Sequence, residues 1–281
     1  MNFGARRAAS PDPFPGQVVH RRMTIQHSVQ GSGKPLLLVH GLGSTRAAWS
    51  LVAPALAGQR ELILPDLPGH GASPAEPDSG TFEGLVRSFD EWLDAEGLAG
   101  IDMVGSSMGA RLVLEMARRG RTRAAVALDP GGFWQGWERG FIDVSLTASV
   151  ALLRVLRGAL PALGHNAIAR TALLPQLSAH PWALDGDTVE TELQSFADTP
   201  TFDALIKDLA YGPLQPGPAA PGSGPVTIGW GRHDRLCLPA QATRAQAAFP
   251  GSRLHWFENS GHFPQWDEPD ATMALILEAV G

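Results

Sequence analysis

Short runs of consecutive apolar residues alternate along this chain with longer stretches whose apolar positions recur every three or four residues. The first kind reads as buried strands, the second as helices with one face on a core. Residues 17–30 alternate with β-branched positions and predict two early strands. PLLLVH at 35–40, ELILP at 61–65, IDMV at 101–104 and RAAVAL at 123–128 predict four more. Residues 46–57, 81–96 and 108–119 predict helices between them, the second with Phe82, Leu85, Val86, Phe89 and Leu93 on one face. Alternation of this kind predicts an α/β fold, a mostly parallel sheet with helices on both faces.

The rhythm breaks after Asp129. Residues 133–221 carry helical patterns, clearest at 145–160 and 200–211, and no strand pattern. The Pro/Gly-rich run YGPLQPGPAAPGSGP at 211–225 reads as a linker. The alternation then returns, with strands at 226–230 and 253–257 and helices at 239–249 and 267–280. The expected organisation is therefore a tail at 1–17, a core with an eight-stranded sheet at 18–132 and 222–281, and a helical insert at 133–221. An insert so placed is expected to act as a lid over a site at the carboxyl ends of the strands. In the tail, Arg6 and Arg7 are followed by Pro11, Pro13 and Pro15 where a signal would have an apolar region. That predicts a disordered tail and a cytoplasmic protein.

Composition narrows the function classes. With 44% hydrophobic and 18% charged residues among 281, the chain can bury a large core. Its 22 Lys and Arg against 28 Asp and Glu leave a net charge of −6, which speaks against nucleic acid and against anionic membrane surfaces as partners. The single cysteine, Cys237, excludes an internal disulfide and any cysteine-based metal site. No apolar stretch approaches the roughly 20 residues of a membrane span. A small-molecule substrate is the partner expected. No heptad or repeat speaks to oligomeric state.

Gly105-Ser106-Ser107-Met108-Gly109 matches G-x-S-x-G. Alone this is a weak signal, with about 0.2 chance matches expected. It stands, however, between a predicted strand and a predicted helix, where a sharp turn would lift the Ser107 hydroxyl into a cleft. Glycines two positions either side leave the turn room, and the helix N-terminus favours developing negative charge. Ser106 has the wrong spacing to the glycines. A serine hydroxyl needs a base, and His262 follows the last predicted strand. The base needs an acid to fix its tautomer, and Asp234 follows the strand before. His40-Gly41-Leu42-Gly43 follows the strand at 35–40, and glycines there let a backbone N–H turn inward. The N–H groups of Leu42 and Met108 are the expected oxyanion donors. His40 is expected to hold that loop.

These segments together resemble the α/β-hydrolase superfamily, in its lid-bearing branch of esterases and C–C hydrolases. The resemblance rests on LLLVHGLGSTRAAW (36–49), LPDLPGHGAS (64–73), MVGSSMGA (103–110), GWGRHDRLCLP (229–239) and SGHFPQWDEP (260–269). It implies a nucleophile, acid and base in the order Ser107, Asp234, His262, and structural roles for Asp66 and His70. It also leaves Asp129, after the strand at 123–128, as an alternative acid. A serine at the elbow, where haloalkane dehalogenases and typical epoxide hydrolases carry aspartate, implies acyl chemistry without metal or other cofactor. The expected reaction is hydrolysis of a small, partly apolar ester through an acyl-enzyme. The alternatives are C–C hydrolysis of a diketone, acyl transfer or a lyase reaction, and ligand binding on a fold that has lost catalysis. Trp134, Trp137 and Trp182 of the insert are candidate pocket residues, and Trp266 could border the site.

Overall fold

The computed structural model describes residues 25–281. The expected tail and the first of the two early strands, in the region 17–24, lie outside the described residues. Seven strands are found among those described: β1 (His27–Gly31), β2 (Pro35–Val39), β3 (Glu61–Pro65), β4 (Ile101–Ser106), β5 (Thr122–Leu128), β6 (Val226–Gly231) and β7 (Arg253–Phe257). They form one sheet in the order β1-β3-β2-β4-β5-β6-β7. β1 runs antiparallel to β3, and every other neighbouring pair is parallel.

Because side chains alternate across a strand, a sheet covered on both faces makes continuous apolar runs. Leu37 and Val39 of β2, with Ile63 and Met103, enter one core. Leu36 and Leu38, with Leu62 and Val104, enter the other. On the first face lie α2 (Phe82–Ala95), α3 (Met108–Arg118) and α9 (Ala240–Ala248), which supply Phe89, Leu112 and Ala245. On the second lie α1 (Ala53–Leu56) and α11 (Pro269–Val280), which supply Leu56 and Ile276. α2 begins where expected, with Thr81 Oγ1 accepting from the Gly84 N–H at 3.1 Å.

One expected helix is interrupted, at a proline. The stretch 46–57 forms a 3₁₀ turn at Arg46–Trp49 and then the single turn of α1. Pro54 has no N–H to give to Ser50, so one continuous helix cannot form. The helix expected at 267–280 is found as α11, which begins at Pro269 after the single turn of α10 (Pro264–Asp267).

Between β5 and β6 the chain forms α4 (Glu138–Val155), α5 (Leu160–Gly164), α6 (Ala167–Leu173), α7 (Gly186–Asp198) and α8 (Phe202–Tyr211). The run expected to be a linker is stitched to the core instead. The Gln215 N–H reaches Gly132 O at 3.0 Å and the Ala220 N–H reaches Ala117 O at 3.0 Å. Arg111 Nη2 donates to Pro213 O at 2.6 Å, with its guanidinium 3.9 Å from the centre of the Phe82 ring. Burial presses that guanidinium's pKa down to about 10. Among the described residues no single helix is long and apolar enough to cross a membrane.

Leu38 is wholly buried in the second core, whereas Val155 on α4 is 83% exposed. Leu38→Ala should therefore cost about 2–5 kcal/mol in urea unfolding. Val155→Ala should stay within about 0.5 kcal/mol.

Candidate active site

Four strand ends meet at one place. β4 ends at Ser106, and Ser107 turns the chain into α3. Ser107 has φ 56° and ψ −115°, a left-handed backbone that a residue with a Cβ adopts only under constraint. The constraint is close packing. A Cβ at Gly105 would stand 2.2 Å from Gly109 O, and one at Gly109 would stand 2.4 Å from both Val39 O and His40 O. The glycines of the motif thus let β4, α3 and the end of β2 touch backbone to backbone. The neighbouring Ser106 is buried and its Oγ accepts from Gln265 Nε2 at 3.0 Å, which commits it to packing.

The structure brings all three expected side chains together. His262 Nε2 lies 2.8 Å from Ser107 Oγ, and His262 Nδ1 lies 2.8 Å from Asp234 Oδ2. Asp234 Oδ1 accepts the N–H groups of Leu236 at 2.7 Å and Cys237 at 3.0 Å. A carboxylate so engaged can accept only a proton-bearing Nδ1, which leaves the Nε2 lone pair facing the serine hydroxyl. His262 and Asp234 are both buried, so the relay is held away from solvent.

The loop after β2 supplies the fourth part. His40 Nε2 accepts the Leu67 N–H at 2.9 Å, which places the ring proton on Nδ1. Nδ1 then donates to Gly41 O at 2.8 Å. With that carbonyl turned toward His40, the N–H of the same peptide, on Leu42, is turned away from it. A Cβ at Gly41 would lie 3.2 Å from Ser107 Cβ, so this peptide passes directly over the serine. Among the described residues neither the Leu42 nor the Met108 N–H is hydrogen-bonded to another protein group. Burial holds His40 below the usual imidazole pKa and takes its neighbour His70 down to about 3, so both rings stay neutral. Asp66 ties the following loop, accepting the Arg46 N–H at 2.8 Å and the Ala72 N–H at 2.9 Å.

Asp129 lies beside this group but does not bond His262. Its Oδ1 accepts the Gly231 N–H at 2.8 Å, and its backbone has φ 46°. Burial, then the charge of Asp234, pushes its pKa well above the carboxylate range, which keeps it protonated. Asp234, Cys237 and His262 offer ligand atoms within 4.8 Å of one another. Asp234 and His262 are committed to each other, and Asp234 to backbone N–H groups, while burial keeps the Cys237 thiol protonated, so the three make a poor metal set.

The cavity at Ser107 has two lobes. The larger is lined by Leu146, Val150 and Leu153 of α4 and by Phe196 and Phe202, with Gln176 and Ser149 its polar members besides Ser107 and His262. The smaller runs past Arg111, Ile206 and Trp134. Trp134 is thus the one candidate tryptophan of the insert at the cavity, while Trp137 and Trp182 are 68% and 52% exposed. Trp266 is buried behind Phe263, its Nε1 donating to Ala48 O at 3.3 Å.

Two acids escaped the sequence reading. Asp267 Oδ2 accepts the N–H groups of Gly261 at 2.7 Å and Ala179 at 2.8 Å, which fastens the His262 loop to the insert. Glu192 on α7 is buried, and its Oε2 accepts from Ser44 Oγ at 2.7 Å. Glu192 falls at a core position of α7, where a carboxyl breaks the apolar pattern that would have marked the helix. Nothing local marks Asp267.

Comparison with known proteins agrees with this architecture. A sequence profile described as the alpha/beta hydrolase family matches residues 36–275. The chain belongs to that family. It is 29% identical over 266 residues to an uncharacterized protein of Mycobacterium tuberculosis, covering 88% of this chain and 75% of that one. It is 27% identical over 264 residues to a 2-hydroxy-6-oxononadienedioate/2-hydroxy-6-oxononatrienedioate hydrolase of Dechloromonas aromatica, covering 88% and 87%. An esterase from Exiguobacterium antarcticum shares its fold, with a TM-score of 0.72 at 18% identity over 91% of this chain and 95% of that one.

Burial raises the Glu192 pKa from 4.5 to about 7, against the Ser44 hydrogen bond that lowers it. The folded chain therefore holds this proton more tightly than the unfolded one. Its contribution to stability is full below pH 4.5 and is lost as pH rises to about 7. Glu192→Gln should raise the unfolding free energy at pH 8.5, relative to wild type, by on the order of 3 kcal/mol more than at pH 4. Equal changes at the two pH values in thermal melts would show that Glu192 carries no such proton.

Proposed function

We propose that this hydrolase is a serine carboxylesterase acting on a small, largely apolar ester through an acyl-enzyme, with the helices at 133–221 serving as a lid. The observation that carries the reading is the continuous relay from Asp234 through His262 to Ser107, at 2.8 Å for each step. Ser107 Oγ attacks the ester carbonyl while His262 Nε2 takes its proton, and Asp234 stabilises the imidazolium that forms. The negative charge developing on the carbonyl oxygen falls between the N–H groups of Leu42 and Met108, at the start of α3. His262 then returns its proton to the leaving alcohol. A water, deprotonated in turn by His262, releases the acid and restores Ser107. None of these steps calls for a metal or cofactor.

Substrate class follows from the cavity walls. The larger lobe offers aliphatic and aromatic side chains and no cationic one. Charged acyl groups would lose their hydration there without a partner, so a neutral chain of a few carbons suits it best. A second reading, C–C hydrolysis of a diketone-type substrate, is favoured by the name of the Dechloromonas aromatica relative. The same serine and base would serve that reaction. An ester panel run beside a ring-cleavage diketone separates the two, and clear preference for the diketone overturns the esterase reading.

A fluorophosphonate should label wild type at Ser107 alone, and Ser107→Ala should take up no label. Failure of folded wild type to label removes the serine mechanism. Asp234→Asn should lower kcat by on the order of 10³–10⁴, since an amide can hold the wrong imidazole tautomer. Asp129→Asn, which changes an already neutral group, should cost less than about tenfold. The reverse ranking in steady-state kinetics would make Asp129 the acid.

A further inference from the structure

The turn at 41–44 is gripped from two sides. The core side is the His40 bond to Gly41 O, together with the Ser44 N–H on the same carbonyl at 3.3 Å. The other side is α7. Ser195 Oγ donates to Gly43 O at 2.7 Å, and Ser44 Oγ donates to Glu192 Oε2 at 2.7 Å. Thr199 Oγ1, at the end of α7, lies 3.3 Å from Gly43 O and 2.9 Å from Ser195 O, so its one proton is divided between them. Glu192, Ser195 and Thr199 are spaced i, i+3, i+7, which puts them on one face of the helix. Gly43 has φ +75°, and a Cβ there would stand 2.7 Å from Phe196 Cδ1 and 2.9 Å from Phe202 Cε2. Helix and turn therefore meet without a gap as well as through hydrogen bonds.

We propose that Glu192 and Ser195 are positioning residues for the oxyanion donor: α7 sets the peptide that carries the Leu42 N–H, so the insert completes the active site as well as covering it. This rests on the serine-hydrolase reading. A four-residue turn has few dihedrals to share. With Gly41 O fixed by His40, and Gly43 O and the Ser44 hydroxyl fixed by α7, the Leu42 N–H between them has little freedom to rotate. Freeing the α7 side loosens the Gly43–Ser44 peptide, whose N–H is the second hold on Gly41 O at 3.3 Å, and lets the Gly41–Leu42 peptide tilt about its His40 bond, away from the position the oxyanion will occupy. Donors matter there chiefly in the transition state, so the loss should appear in kcat. If these bonds only fastened the insert to the core, their loss would appear in stability or in KM.

The test compares Ser195→Ala/Glu192→Leu with wild type, with Ser195→Thr and Glu192→Gln, which keep the hydroxyl and the carbonyl acceptor, and with Val155→Ser on the exposed face of α4. Steady-state kinetics on p-nitrophenyl butyrate and the rate of fluorophosphonate labelling at Ser107 are the readouts, with melting temperature beside them. The double variant should lose tenfold or more in kcat and in labelling rate, with KM within twofold. The Thr and Gln variants should recover most of that loss, and Val155→Ser should match wild type. A rise in KM at constant kcat, or wild-type rates in the double variant, overturns the clamp. So does a loss that simply follows melting temperature. Ser195→Ala alone replaces the double variant if the latter does not fold. Wild type that fails to label sinks the serine reading. Wild type that labels, beside a double variant that labels equally fast, sinks the clamp alone.

Discussion

Ser107 sits at φ 56° because three backbones crowd one point. β4 arrives, α3 leaves and the end of β2 passes alongside, at distances that admit no Cβ at Gly105 or Gly109. Strain at a single residue persists only where its surroundings over-determine it. Here the surroundings are the centre of the sheet and a helix buried along nearly its whole length. The rest of the site follows from that turn. It points the serine hydroxyl out of the sheet, places the first N–H groups of α3 beneath it, and brings the Gly41–Leu42 peptide over it.

Around this point the protein buries an unusual set of titratable groups, and each is kept neutral or given partners. His40 and His70 are uncharged, and Asp129 keeps its proton. Glu192 gives its proton up only near pH 7. Asp234 is met by three donors, two backbone N–H groups and the imidazole. The contrast between Asp129 and Asp234 is instructive, since both are buried carboxyls at strand ends. Burial opposes charge on either. Only Asp234 has donors on both oxygens, while Asp129 Oδ2 has no partner among the described residues.

The core and the chemical centre were legible in the sequence because each depends on local signals. Strands buried on both faces write continuous apolar runs, and the turn at Ser107 writes its glycines. The strand ends deliver Asp234, His262 and the Leu42 loop in order. Less legible was anything decided by contacts between distant segments. α7 did not stand out as a helix because Glu192 occupies one of its core positions, and a carboxylate there breaks the apolar pattern. Its reason for being buried, Ser44, lies 148 residues away. Asp267 reads as an ordinary acid before a proline, and its partners at Gly261 and Ala179 exist only after folding. The run at 211–225 was misread because Pro and Gly signal a lack of regular structure, not a lack of attachment.

The insert and the core are joined at the two loops that carry Leu42 and His262. α7 holds the turn at Gly43 and Ser44, while residues 177–179 hold the loop of His262. There Leu177 O accepts the Phe263 N–H at 3.1 Å, and Ser178 and Ala179 both bond Asp267. A movement that lifted the whole insert as a rigid body would break both seams at once and disturb the Gly41–Leu42 peptide and the His262 imidazole together. α4, by contrast, lines the larger lobe with Leu146, Val150 and Leu153 while exposing Val144, Leu152 and Val155 on its other side. Those apolar contacts are non-directional, but the first turn of α4 is also tied to the core, with Glu138 Oε2 accepting from Arg244 Nη2 of α9 at 2.6 Å. The insert is therefore fastened by polar contacts at the loops of Ser44 and His262 and at the start of α4, and presents an apolar face to the cavity between them.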